Sequence, residues 1–397
     1  MPDSTLAPRQ RPLWPLFILP ALLLIAAIAW SGFWFYAASK VDVEADAWRA
    51  REAKAGRVFD CAHRSVAGFP FRLEIRCDGV SVSLVSQSAG PPQVPLTARL
   101  GEILAVAQVY DPKLVIAEFT APARISEQGA PEPSFVAGWS KGRSSVVGLP
   151  ATPQRASIVF DDAAIDRLQG SMQVPLASAK HIELHGRLAQ GSSTDHHGIE
   201  SVLEITQGSI LGIHPLLEQP FDAGVRALMT GLKDFAPKPW PERFREIQAA
   251  GGHIEILQSR IQQGDLIAVA AGTLNLSVDG RLDGQLQMTV AGIEKVIPAL
   301  GIDKMIEQGV PQQTLDRIVP GVKARDVNNL FGALDRAIPG LGKVVKDNAN
   351  VGVAAGIGAV GTETMLEGKK ARAFPLRFVN GVVFLGPLKV ADTPPLF

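Results

Sequence analysis

The sequence predicts a mainly antiparallel β fold, either a curved sheet or a sandwich, with a smaller α-helical insertion and one N-terminal transmembrane helix. Three observations predict it. An uncharged apolar run lies near the N-terminus, apolar and polar residues alternate repeatedly after it, and glycine (38) and proline (29) are abundant. Glycine and proline supply turns, and period-2 alternation is typical of strands with one buried face.

The apolar run extends from Leu13 to Tyr36 without a charged residue. A helix of about 20 such residues crosses a bilayer core of roughly 30 Å. Arg9 and Arg11 precede the run, so the positive-inside rule keeps the N-terminus in the cytoplasm. We therefore expect a cytoplasmic tail at 1–12, a transmembrane anchor at 13–36 in the bacterial inner membrane, and a periplasmic bulk.

A cleaved signal peptide is the alternative interpretation of this run. Ala37, Ala38 and Ser39 offer small residues of the kind that signal peptidase cleaves after. The apolar region of a signal peptide spans about 7–15 residues, however, and this one is longer and rich in aromatic residues. Both interpretations place the mature domain outside the cytoplasm.

Composition excludes one class of partner and predicts one covalent bond. Lys and Arg number 39 and Asp and Glu also number 39, whereas a nucleic-acid-binding protein carries a basic excess. Cys61 and Cys77 are the two cysteines, and an even, sparse count in an exported chain favours a disulfide. A reactive thiol pair would prefer a closer Cys-x-x-Cys spacing.

Alternation predicts strands throughout residues 40–290. In chain order these are Phe71–Cys77, Gly79–Val85, Arg99–Val109, Lys113–Phe119, Arg155–Phe160, His181–Leu188, Ser201–Thr206, His253–Gln262, Thr273–Val278 and Gln285–Val290. Asp-Gly pairs join the last two strands and predict a hairpin. A C-terminal hairpin with its turn at Asn380–Gly381 is predicted to complete the sheet within 346–397.

Helices are predicted to be fewer and later in the chain. Apolar residues from Leu216 to Phe235 recur at helical spacing before a proline pair. Between 291 and 345, short amphipathic pieces bounded by Pro or Gly predict a short-helix segment. The pieces are Ile293–Leu300, Lys304–Gln308, Gln313–Ile318 and Val327–Ala337.

Three segments carry a resemblance to a known family. They are the short amphipathic helix at Val43–Gly56, the Gly-Phe-Pro-Phe-Arg strand start within Val66–Leu73, and the terminal stretch Phe374–Leu388. Together they resemble the bacterial DUF2125 family. That family is similar in layout to AsmA-like envelope proteins, which have an N-terminal anchor and a long curved sheet that contacts lipid. The resemblance implies a membrane-anchored envelope protein.

The segment Gly68-Phe69-Pro70-Phe71 has a physical interpretation of its own. Proline lacks a backbone donor, so Pro70 belongs at the start or edge of a strand. Phe69 and Phe71 then share one face, and a packed core is the preferred location for them. The alternative is that Phe69, Phe71 and Leu73 line an apolar groove.

Three polar clusters are candidates for chemistry. His181, Glu183 and His185 alternate on one predicted strand, but residues i and i+4 of a strand are about 13 Å apart, which is too far for both histidines to bind one zinc ion. Asp195, His196 and His197 lie in an expected loop. Asp161, Asp162 and Asp166 follow a strand, and a cap on a short helix to Leu168 is the simpler explanation of them.

Motifs for phosphate binding, nucleophilic catalysis and zinc hydrolysis are absent from the sequence. Gly356–Gly361 matches Gly-x-Gly-x-x-Gly, but it lacks the strand, helix and acidic partner of a dinucleotide site.

We therefore assign no catalytic, cofactor-binding or metal-binding residue from the sequence. The leading hypothesis is a non-enzymatic envelope module that binds lipid or another apolar ligand. The alternative is a scaffold that docks on an envelope protein complex, and an exported hydrolase is the least expected of the three.

Overall fold

The computed structural model describes residues 14–84, 95–127, 130, 132–149, 151–170, 172–189, 197–212, 215–233, 238–292, 361–385 and 388–397. Within these ranges, three helices and eighteen strands occur, and all the strands belong to one antiparallel sheet. The predicted β-rich fold class is confirmed, in its curved-sheet form.

The elements have the following bounds. The helices are α1 (Trp14–Lys54), α2 (Pro215–Glu218) and α3 (Trp240–Ala249). The first nine strands are β1 (Arg57–Ala67), β2 (Arg72–Leu84), β3 (Leu96–Gln108), β4 (Asp111–Phe119), β5 (Ala123–Glu127), β6 (Phe135–Gly138), β7 (Lys141–Val147), β8 (Arg155–Gln169) and β9 (Met172–Leu188). The others are β10 (His197–Ile210), β11 (Phe221–Leu232), β12 (His253–Gln263), β13 (Leu266–Leu276), β14 (Leu282–Ala291), β15 (Thr362–Leu366), β16 (Lys369–Val379), β17 (Val382–Leu385) and β18 (Leu388–Asp392).

The sheet is a meander in which strands pair mostly in chain order. At two positions in the sheet, two short strands take the place of one long strand. Strands β4 and β5 pair with different parts of β3, and strands β6 and β7 pair with different parts of β8. At the C-terminal side, β14 pairs with β16, and β16 pairs on its other edge with β15 and β17.

Helix α1 is long and apolar enough to cross a membrane, and it also packs on the sheet. Its 41 residues extend for about 60 Å at 1.5 Å per residue, which is twice the thickness of a bilayer core. The C-terminal half is held on β1 by ion pairs. Arg64 on β1 lies 3.0 Å from Asp42 and 2.7 Å from Asp46, and Arg49 of the helix lies 3.1 Å from Asp60.

Helix α3 packs over the opposite part of the sheet. Ile247 of α3 is fully buried against Leu232 and Leu276, with the C-terminal Phe397 beside them. The two longer helices therefore cover separate parts of one sheet face.

A β-bulge in β12 changes which side chains share a face. Ser259 pairs with Val225 of β11, whereas Ile256 pairs with Ala227, so one extra residue is inserted between the two pairs. The same shift appears against β13. Because alternation has a period of two, a strand without this bulge would place Ile256 on the face opposite to Ser259.

Several predicted elements differ from the structure. The helix expected from Leu216 to Phe235 is wrong, because only α2 is helical and β11 follows it. Phe221, Val225 and Met229 satisfy strand alternation as well as helical spacing, and pairing with β10 and β12 selects the strand. Val43–Gly56 is not a separate helix, since α1 continues to Lys54.

Other predictions fall on residues that the structure does not describe. The short-helix pieces between 293 and 337 and the glycine-rich stretch before Gly361 lie outside the described residues. The hairpin at Asn380–Gly381 lies within them, where it joins β16 and β17 as predicted.

The two cysteines lie at disulfide distance. Cys61 on β1 and Cys77 on β2 have an S–S separation of 2.01 Å and a Cα–Cα separation of 5.6 Å. Strand β1 also forms the ion pairs with helix α1. The disulfide therefore links the strand that contacts α1 covalently to β2.

We predict that replacing both cysteines with alanine lowers the free energy of unfolding by about 3 kcal/mol, because the bond closes a loop with a sequence separation of 16. Urea unfolding of the detergent-solubilised full chain measures the change. Reducing the unsubstituted chain should produce the same loss, and reductant should leave the double variant unaffected. Equal stability of the two proteins would contradict the prediction.

Candidate functional site

A row of uncharged side chains crosses the sheet from end to end on one face. Residues paired across antiparallel strands point to the same face, so the row follows from the strand register. Its members are Val66, Ile75, Ala105, Ala117, Ser144, Ile158, Leu184, Leu203, Val225, Ser259, Ala270, Met288 and Phe374. We call these thirteen residues the apolar row.

The apolar row extends across most of the width of the sheet. Neighbouring strands lie about 4.8 Å apart, so a row across thirteen strands extends for roughly 60 Å along the sheet. Further apolar side chains flank it at alternate positions of the same strands. These are Phe160, Ile182, Ile205, Ala227, Ile261 and Leu286.

The next row along the strands carries charged and polar side chains by contrast. It points to the opposite face, and it includes Glu74, Ser157, His185, Arg226 and Gln258 together with the apolar Val106, Ile116 and Val202. The sheet therefore has an apolar face, which carries the apolar row, and a polar face.

The middle of the apolar face remains partly open to solvent. Leu184 is 43% exposed and Ile261 is 47% exposed; Leu203, between them in the sheet, is half-buried, as is Ile158 on the other side of Leu184. Other parts of this face are covered: Leu73 is buried under Trp34 of α1, and α3 packs on Leu232 and Leu276 near the ends of β11 and β13. Contiguous apolar surface of this kind is rare on soluble monomers and marks an interaction site.

An aromatic cluster lies near the middle of this face. The ring of Phe160 contacts the rings of Phe119 and Trp139, with centroid separations of 6.2 and 5.2 Å. Trp139 Nε1 donates a hydrogen bond to the Phe119 carbonyl at 2.8 Å. Because the indole N–H is satisfied by the backbone, the cluster can present its ring surfaces without an unpaired donor.

One charged pair interrupts the apolar face beside this cluster. Lys180 on β9 donates a hydrogen bond to Asp162 on β8, and Ser140 donates another at 2.7 Å. These hydrogen bonds, that of Lys180 above all, hold the pKa of Asp162 below its usual range. The helix expected to begin at Asp161 or Asp162 is therefore wrong, since β8 continues through both residues and Asp166.

The predicted histidine cluster lies on the polar face. His181 Nδ1 is 2.6 Å from Asp161, and the Glu183 carboxylate lies between His185 at 3.2 Å and His181 at 3.6 Å. The Asp161 carboxylate raises the pKa of His181, and hydrogen bonding from His185 is the main effect that lowers the pKa of Glu183. Across the part of the chain that the structure describes, no group of three or more metal-ligating side chains is found.

A charged cluster that the sequence did not reveal lies nearby on the polar face. It lines a shallow cavity of about 830 Å³. Glu200 accepts hydrogen bonds from Arg187 and Arg226, which hold its pKa below the usual range, and Arg260 pairs with Glu367 at 2.9 Å. These residues lie on separate strands, so only the register brings them together. Glu200 pairs with two arginines within the cavity, whereas Arg260 pairs with Glu367, which does not line it.

The remaining predicted residues are dispersed. Phe69 and Phe71 are 52% and 61% exposed in the turn between β1 and β2, so the expectation of a core location is wrong for both. His197 begins β10, whereas Asp195 and His196 lie outside the described residues.

Comparison with known proteins identifies a family. Residues 34–394 match the family described as "Uncharacterized protein conserved in bacteria (DUF2125)". No curated protein matches the chain. Because the match covers most of the sequence, the chain belongs to the DUF2125 family.

We predict that Asp161→Asn lowers the pKa of His181 toward its ordinary value of about 6.5, because the variant removes the carboxylate that stabilises the imidazolium. The ion pair stabilises the fold fully below the unfolded-state pKa, and this contribution is lost as the pH rises through the higher folded-state pKa. NMR titration of ¹³C-labelled histidine measures the shift. Asp162→Asn is the matched control, since Asp162 faces the other side; an equal shift in the control would refute the assignment.

Proposed function

We propose that this member of the DUF2125 family is a non-enzymatic, membrane-anchored protein whose apolar face binds the acyl chains of lipids. Helix α1 anchors it in the bacterial inner membrane, with the N-terminus in the cytoplasm and the sheet in the periplasm. The observation that carries the proposal is the apolar row, which crosses thirteen strands without a charged residue.

The shape of the apolar face suits an extended, flexible hydrocarbon. An acyl chain is narrow and featureless, so it needs continuous apolar contact and no fixed polar partner. Each methylene group removed from water stabilises the complex by about 0.8 kcal/mol. Half-buried side chains such as Ile158 and Leu203 supply that contact near the middle of the sheet, and the polar face stays hydrated.

The position of the row relative to α1 favours a membrane lipid over a soluble apolar molecule. Val66, the first member of the row, packs in the same cluster as Trp34 of α1. Trp34 lies within the apolar part of the helix, before Tyr36. The row therefore starts beside the segment that would lie in the bilayer.

We predict that a photo-crosslinking residue captures lipid on one face of the sheet alone. p-Benzoylphenylalanine at Leu184 or Ile261 should form phospholipid adducts in intact bacterial membranes, because both side chains lie exposed on the apolar face. Mass spectrometry of the purified full chain identifies the adducts.

The neighbouring residues provide controls that differ only in the face they occupy. The same crosslinker at His185 or Gln258 should give few or no lipid adducts. Protein adducts in place of lipid at Leu184 would support the scaffold that docks on an envelope complex, and would overturn the lipid proposal.

We also predict that Leu184→Asp reduces the lipid that co-purifies with the full chain. A carboxylate beneath an acyl chain costs roughly 2 kcal/mol, which corresponds to an affinity about 30-fold weaker. Quantitative lipid extraction from protein of equal purity measures the ratio of lipid to chain. Gln258→Asp adds the same carboxylate on the polar face and should leave the ratio unchanged; equal ratios in both variants would contradict lipid binding at the apolar face.

A further inference from the structure

The turn between β1 and β2 is fastened to helix α1 by two indole hydrogen bonds. Trp30 Nε1 donates to the Pro70 carbonyl and Trp34 Nε1 donates to the Arg72 carbonyl, both at 2.8 Å. The ring of Phe69 contacts Trp34 edge-on at a centroid separation of 5.4 Å. The position of the turn along the axis of α1 is therefore fixed next to Trp30 and Trp34.

That height lies within the apolar part of α1. The segment long and apolar enough to span a membrane begins at Phe17. At 1.5 Å per residue, Trp30 lies about 20 Å and Trp34 about 25 Å from that residue along the helix axis. A bilayer core is roughly 30 Å thick, so Trp34 lies about 5 Å and Trp30 about 10 Å inside its outer boundary, and the turn bonded to them lies in the outer part of the core.

The side chains of this turn are aromatic and exposed. Phe71 is 61% exposed, and Tyr110, in the adjacent turn between β3 and β4, is 66% exposed. The two turns are joined by a hydrogen bond from the Val109 N–H to the Phe71 carbonyl at 3.0 Å. Aromatic side chains with this placement are typical of the interface between a membrane and water.

Four backbone carbonyls at this turn are hydrogen-bonded within the protein. The carbonyls of Gly68 and Phe71 accept backbone hydrogen bonds, and those of Pro70 and Arg72 accept the two indole hydrogen bonds. Proline has no N–H to satisfy. Backbone groups in contact with lipid must be satisfied internally, because each unsatisfied group costs several kcal/mol there.

We propose that this turn, Gly68–Phe71 together with Tyr110, inserts into the bilayer on the side where α1 leaves it. The partner is the interfacial region of a phospholipid bilayer. The insertion gives the sheet a second membrane contact besides α1 and holds Val66, the start of the apolar row, at the bilayer surface. The proposal rests on anchoring by α1, and it does not require lipid binding by the apolar face.

Charge placement at the turn agrees with this insertion. Arg72 follows the aromatic residues, and its side chain is 62% exposed while it pairs with Glu74 at 3.2 Å. A long cationic side chain at this position can reach the lipid headgroups while its methylene groups stay beside the aromatic rings.

Depth-dependent fluorescence quenching tests the insertion in the full chain. A small environment-sensitive fluorophore is attached through a genetically encoded residue at position 71 or, independently, at position 110. The protein is reconstituted in phosphatidylcholine–phosphatidylglycerol vesicles that contain nitroxide-labelled lipids. We expect quenching several-fold stronger than at position 172, and stronger with the nitroxide near the headgroup than with it deep in the acyl chain.

Position 172 is the matched control. Met172 is 63% exposed, nearly the same as Phe71, but it lies in the turn that begins β9 at the other end of the strands. A label at Ile25 in α1 reports anchoring separately.

The outcomes distinguish failure of the turn insertion from failure of the anchoring by α1. Quenching at 71 and 110 no stronger than at 172, with strong quenching at 25, would overturn the insertion and leave the anchor intact. Weak quenching at position 25 as well would overturn both the insertion of the turn and the anchoring by α1. Lipid binding by the apolar face would be judged by its own crosslinking experiment in either case.

Discussion

The apolar row exists because thirteen strands keep the same phase of alternation. A shift of one residue in any strand would move its apolar side chains to the polar face and break the row. The bulge in β12 shows how strictly this phase is kept. Ile254 and Ile256 lie at even positions and Ser259 and Ile261 at odd positions, and the inserted residue brings all four to one face.

Among the residues that the structure describes, the apolar face is covered only in part by helices. In a sandwich, a second layer would cover that face along its whole length. Here α1 covers Leu73 on β2 and α3 covers Leu276 on β13, while Leu184 on β9 stays exposed. The two helices therefore cover parts of the face and leave Leu184 and Ile261 accessible.

Local alternation was enough to predict many strands, because both the pattern and the turn residues lie within a few positions. The hairpin at Asn380–Gly381 is one such case. The wrong predictions arose where partners distant in the sequence determine the structure. Strand β8 continues past Asp161, where a helix was expected, because β9 places His181 and Lys180 opposite the carboxylates of Asp161 and Asp162. Helical spacing in β11 was misleading, because Phe221 and Val225 fit both periods and only the neighbouring strands choose between them.

The candidate site was less accessible to sequence analysis than the fold. Each strand predicts which of its side chains share a face, but the order of strands and their register determine which of those sets join into a row. The role of Phe69 and Phe71 depends likewise on the hydrogen bonds of Trp30 and Trp34 to a turn some forty residues later. Neither indole reveals its acceptor in the sequence.

Helix α1 has a mechanical consequence because it continues without a break from the apolar segment to the segment packed on β1. A flexible linker would let the sheet rotate freely above the membrane, whereas a continuous helix transmits its own inclination. Membrane-spanning helices adjust their tilt to the thickness of the bilayer. In the membrane-anchored arrangement proposed above, a change in bilayer thickness would tilt α1, and the ion pairs of Arg64 with Asp42 and Asp46 would transmit that tilt to the angle between the sheet and the membrane plane.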